Sequence, residues 1–125
     1  MYFNFPLFSR LAERAYHNVQ DDLFSGCTYS IEDVLSVFRY YFQKYESTFN
    51  VAHPNIRLSQ IEHIIDVMPY IEEDGLSSAG GYIAAESYEV LIDRHFQTKY
   101  QNCDFNINHF FAGDIRLLRF YEELY

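Results

Sequence analysis

The chain has no Trp and only two cysteines, Cys27 and Cys103, neither in a Cys-x-x-Cys pair. That excludes a multi-bridge disulfide framework and a short-spaced thiolate zinc site. A reduced pair of thiols is the simplest expectation, and one bridge between them is the alternative. Proline is scarce and no Pro/Ser-rich tract occurs, so there is no linker and a single domain over 1–125 is expected. No stretch approaches the roughly 20 apolar residues of a membrane span. The opening residues Met1 to Phe8 lack the basic flank and apolar run of a secretory signal, so a cytoplasmic protein with no membrane partner is expected. Basic residues are also few, 9 Lys and Arg against 18 Asp and Glu, for a net charge of −9. A nucleic-acid-binding domain normally carries a basic stripe, so nucleic acid is disfavoured as a partner.

Present in excess are 12 Tyr and 12 Phe. Aromatic side chains dominate the energetics of cores and interfaces, and each buries about 150–250 Å². A core of this size comfortably holds about half of them, so some are expected on the surface as interface anchors.

Apolar spacing predicts helices. Phe8, Leu11, Ala12, Ala15, Tyr16, Val19 and Leu23 mark one face over about 6–24, with Pro6 suited to a first turn and Ser25-Gly26 as the stop. Ser30 caps a second helix over about 31–48, whose wide apolar face makes it central. A capping box, Ser59 to Glu62, starts a third, which Pro69 kinks or ends. Residues 74–81, with three of the chain's five glycines, read as a loop. A fourth helix is expected over about 83–100 and a fifth over about 114–124, with a short turn around 108–111 before it. No segment shows strand alternation and no repeat is present. The expected fold is all-α, a compact bundle of about five helices.

Motifs for chemistry are missing. No Glu has His three residues on, and no His-Glu-x-x-His or calcium loop occurs, so no metal or cofactor is expected. Cys103 lies beside Asp104, which opposes thiolate formation, and no nucleophile elbow is present. Tyr41 and Tyr45 have the spacing of paired tyrosine nucleophiles, but the accompanying His-hydrophobic-His motif is absent and a core face is the better reading. Ala79-Gly80-Gly81-Tyr82 lacks the Lys-Ser/Thr of a phosphate loop. No catalytic residue is assigned, and the chain is not expected to be an enzyme.

The positive signal is acidic. Glu72, Glu73, Asp74, Glu86, Glu89 and Asp93 occur over 72–93 with no Lys or Arg between them. On a helix Glu86, Glu89 and Asp93 align, about 5–10 Å apart, comparable to phosphates along a strand. The bland reading is a solvated face. The sharper one is a surface that imitates nucleic acid and binds another protein with a basic surface, in a salt-sensitive way. Tyr29, Tyr40, Tyr82 and Tyr125 have no inward assignment from periodicity and are the candidate aromatic interface. A homodimer would use the same surplus of rings. The expected function is a non-enzymatic protein-binding regulator, an acidic inhibitor of a nucleic-acid-binding enzyme. In size and charge alone it resembles the small phage or mobile-element inhibitors of host defence nucleases. The competing expectation is a helical DNA-binding or replication accessory protein using Arg116 and Arg119 with Phe120.

Overall fold

The computed structural model describes residues 4–21, 27–73, 76–97 and 105–112, and for 71–73 and 76–81 the backbone course alone. Among the described residues are five helices, α1 (Phe5–Gln20), α2 (Ile31–Phe49), α3 (Leu58–Val67), α4 (Ser87–Gln97) and α5 (Ile107–Phe110). The helical class expected from periodicity is what the structure shows. The fifth helix differs: α5 is the short turn before the expected one, and the segment 114–124 lies outside the described residues.

Helix ends follow local chemistry. Asn4 caps α1, its Oδ1 accepting from the Leu7 amide at 3.2 Å, with Pro6 in the first turn where no amide is needed. Ser30 Oγ accepts from the Asp33 amide at 3.1 Å and starts α2. At the other end Asn50 takes a left-handed conformation, φ 60°, and its amide donates to Glu46 at 2.8 Å. The expected box on α3 is shifted. Arg57 precedes the helix, and Gln60 rather than Glu62 reaches back, accepting from the Arg57 amide at 2.8 Å. Glu62 instead accepts from Asn18 on α1 at 3.3 Å.

α1 packs on α3 through small residues. Ala12 and Ala15 of α1 are fully buried, as are Ile61, Ile64 and Ile65 of α3, and small side chains let two helix backbones approach closely. On α2, Phe38 and Phe42 meet Phe8 edge-on at 5.0 and 4.9 Å, so α1 crosses the face that periodicity assigned to the core. α4 runs beside α2 in the same direction. Tyr40 and Lys44 both reach Asp93, and Tyr45 and Phe49 both reach Phe96.

Between α3 and α4 one expectation is narrowed and one corrected. Of the two outcomes expected at Pro69 the helix ends, and Tyr70–Glu73 forms strand β1. Leu76–Tyr82, all but its last residue inside the stretch 74–81 expected as a loop, is strand β2, antiparallel to β1 with Tyr70 opposite Tyr82 and Ile71 opposite Gly81. The Ile83 amide donates to Pro69 oxygen at 2.8 Å and closes the hairpin base. Backbone pairing supplies this order, which a Gly-Ser-rich segment does not advertise by side-chain alternation. α4 accordingly begins at Ser87, four residues later than expected.

Candidate protein-binding surface

The first turns of α2 and α4 lie side by side and both carry carboxylates. Glu32 and Asp33 open α2 and Glu89 opens α4, where a negative charge favours the partly positive helix end. Between them is a cleft of about 140 Å³, lined by Asp33, Ser36, Val37 and Tyr40 of α2 and by Ala85, Glu86, Tyr88 and Glu89. Asp33, Glu86 and Glu89 are exposed, so three carboxylates ring a mouth whose walls include two tyrosines.

Of the six acidic residues singled out from sequence, Glu86 and Glu89 stand together here. Asp93 does not extend the row as a bare charge. Its Oδ1 accepts from Tyr40 Oη at 2.7 Å and lies 3.1 Å from Lys44 Nζ, so a cation from α2 offsets it. Glu72 and Glu73 belong to β1, their side chains not among those described, and Asp74 lies outside the described residues. Asp33, in the first turn of α2, joins the row only because α2 and α4 run in parallel.

The aromatic candidates divide. Tyr29 is a core residue, 2 % exposed, and its hydroxyl donates to the Ile83 carbonyl under the hairpin. Burial holds its phenol well above the ordinary range. It is therefore no surface anchor: lying between helices, it takes its inward role from a partner 54 residues away. Tyr40 is half-buried, and burial, then the hydrogen bond to Asp93 and the charges of Asp93 and Glu89, push its phenol up to about 12. Tyr82 is 61 % exposed and meets Tyr70, 43 % exposed, edge-on at 6.2 Å. Tyr125 lies outside the described residues, as do Arg116, Arg119 and Phe120. Tyr70 and Val90, 44 % exposed on α4, were missed by periodicity, which reports inward faces and carries no signal for outward ones.

A second surface is apolar. Leu7, Phe8 and Leu11 of α1 and residues 50–56 line a groove of about 810 Å³, with Leu7 and Val51 59 and 55 % exposed. No carboxylate or cation lines it among the described residues.

Among the described residues no group of three or more His, Cys, Asp and Glu is placed to hold a metal ion, and no helix is long and apolar enough to cross a membrane. Cys27 is a free, buried thiol whose burial pushes its pKa up, away from nucleophilic reactivity. Tyr41 is fully buried and donates to Phe105 oxygen at 2.6 Å, in keeping with a core role. Compared with known proteins, the chain matches no family model, no curated protein and no solved structure.

Proposed function

We propose that this chain is a non-enzymatic protein-binding regulator whose acidic face takes a basic partner, and within that class an inhibitor of a nucleic-acid-binding enzyme. The observation that carries the reading is the trio Asp33, Glu86 and Glu89 around a tyrosine-walled cleft, with Tyr82 and Val90 exposed. Carboxylates at a mouth attract Lys or Arg side chains. The half-buried Tyr40 beside them adds cation–π attraction, and exposed rings supply apolar contact. Fewer rings are available for this than the composition implied, since Phe8, Tyr29, Phe38, Tyr41, Phe42, Tyr88, Phe110 and Phe111 are all buried. The reading therefore rests on the charge arrangement more than on aromatic surplus.

The test is capture of a partner by the tagged chain, eluted along a salt gradient, and then titration of the chain against that partner's DNA complex. The reading expects a basic partner, release at moderate salt, lowered DNA binding, and loss of capture in the E86K/E89K double variant. Capture that survives both high salt and the double variant rejects it. Retardation of DNA by the chain alone at low salt would instead support the nucleic-acid-binding alternative.

A further inference from the structure

Two exposed phenols touch on the hairpin. Among the described residues Tyr70 and Tyr82 are the exposed tyrosines, while Tyr16, Tyr40 and Tyr45 are half-buried and Tyr29, Tyr41 and Tyr88 are buried. Tyr70 and Tyr82 stand opposite each other in the β1–β2 register, where cross-strand Cβ atoms lie about 4.5–5.5 Å apart. Their ring centroids are 6.2 Å apart and the ring planes meet at 75°, an edge-on contact. Backbone pairing thus holds the two phenols together. Side-chain torsion alone is needed to bring the ring carbons beside their hydroxyls into contact.

Other phenols are tied to backbone carbonyls. Tyr29 lies 5.9 Å from Tyr82, but it is buried and its hydroxyl donates to the Ile83 carbonyl. Tyr88 donates to the Met68 carbonyl and Tyr16 to that of Tyr29. Removing an electron from a phenol expels its hydroxyl proton. An exposed phenol hands that proton to water, whereas a buried carbonyl oxygen accepts a hydrogen bond but is too weak a base to keep the proton. Exposure and pairing therefore coincide at one place, the base of the hairpin.

We propose that Tyr70 and Tyr82 form an oxidative coupling site, at which a peroxide-driven one-electron oxidant joins the two rings by a carbon–carbon bond across the hairpin. Each phenol gives one electron to the oxidant and its hydroxyl proton to water, leaving a phenoxyl radical with spin on the ring carbons beside the oxygen. The two radicals combine at those carbons. Each carbon then releases its hydrogen as a proton and each oxygen regains one, which restores both phenols. The net loss is two electrons and two protons, which one molecule of hydrogen peroxide takes up as it becomes two of water. The new bond ties β1 to β2 and closes a ring of chain over 70–82, so oxidation fixes the hairpin that carries Glu72 and Glu73.

The test uses the full-length chain, dilute enough that copies rarely meet, with a haem peroxidase and limiting hydrogen peroxide. The monomer recovered by gel filtration should be lighter by two hydrogen atoms and show the blue fluorescence of a coupled biphenol. Cleavage after Glu72 and Glu73 separates Tyr70 from Tyr82, so the fragments bearing them should stay joined only in the oxidised chain. Tyr70→Phe and Tyr82→Phe should each abolish the fluorescence of the monomer, whereas Tyr45→Phe should keep it. In urea, where the fold no longer selects a pair, coupling should spread over other tyrosines. The proposal is overturned by a chain that stays uncoupled, by fluorescence confined to linked dimers, by a fragment map in which another pair predominates, or by the same selectivity in urea. Should a Phe variant fail to fold, the fragment map of the natural chain decides alone.

Discussion

The α1–α3 seam and the 105–112 segment are both buried, yet they are held by different physics. At the seam α1 buries Ala12 and Ala15 and α3 buries Ile61, Ile64 and Ile65, all without polar atoms in their side chains. Such a contact depends on volume and is indifferent to pH. The 105–112 segment also buries Ile107, Phe110 and Phe111, and adds directional bonds, from the Tyr41 hydroxyl to Phe105 oxygen and from the Ile107 amide to His53. Directional bonds fix one geometry and can be lost one hydroxyl at a time. The lesson is that equal burial does not mean equal robustness.

The largest expected effect falls on the seam. Ile64→Ala should cost about 2–5 kcal/mol, read as a lower urea midpoint with an unchanged slope. A loss below about 1 kcal/mol would mean that the seam collapses around the void and is less rigid than described. Next comes Tyr41→Phe, which removes one hydroxyl and should cost about 0.5–1.5 kcal/mol. Its loss of amide protection should be concentrated in 105–112; a uniform loss over α1 and α3 would erase the distinction between the regions.

The acidic face offers a third contrast, since its carboxylates Asp33, Glu86 and Glu89 are exposed and, on the proposed reading, serve a partner more than stability. The E86K/E89K double variant should change stability by about 1 kcal/mol or less, part of it from a wrong charge in the first turn of α4. Capture of a basic partner should nevertheless be lost. Tyr40 reports the field at the same place. Its folded-state pKa of about 12 exceeds the ordinary phenol value, so its contribution is present below about pH 10 and lost as pH rises through the folded value. Asp93→Asn, which removes a carboxylate from beside the phenol, should lower the Tyr40 titration in alkaline absorbance difference spectra against Tyr40→Phe. An unmoved titration would place its cause elsewhere. The smallest effect is at Asn50: its φ of 60° suits Gly, so Asn50→Gly should change stability, read from the melting midpoint, by a few tenths of a kcal/mol, while Asn50→Ala should cost about 1 kcal/mol.

Helix positions were legible because a 3.6-residue period reports which side chains leave water. Phe8, Ala12, Ala15 and Val19 were readable in this way, as were Tyr88, Leu91, Ile92 and His95. The hairpin was not, because β2 is built from Leu-Ser-Ser-Ala-Gly-Gly-Tyr, and its order comes from pairing with β1. Half of the candidate surface was legible as a run of Glu86 and Glu89. Tyr40 was legible too, from its lack of an inward assignment, but its place beside Glu86 and Glu89 was not; Asp33 and Lys44, which offsets Asp93, are more than 40 positions away in the chain.

Residue order thus decided the helical class, the caps of α1 and α2 and the excess of negative charge, since each depends on neighbours within a few positions. Tertiary structure decided the rest. It buried Tyr29, paired Asp93 with Lys44, brought Asp33 beside Glu86 and Glu89, and set His53 against an amide 54 residues later. Those outcomes depend on which helix faces meet and in which direction they run, and burial then fixes the protonation state and partner of every polar group caught between them.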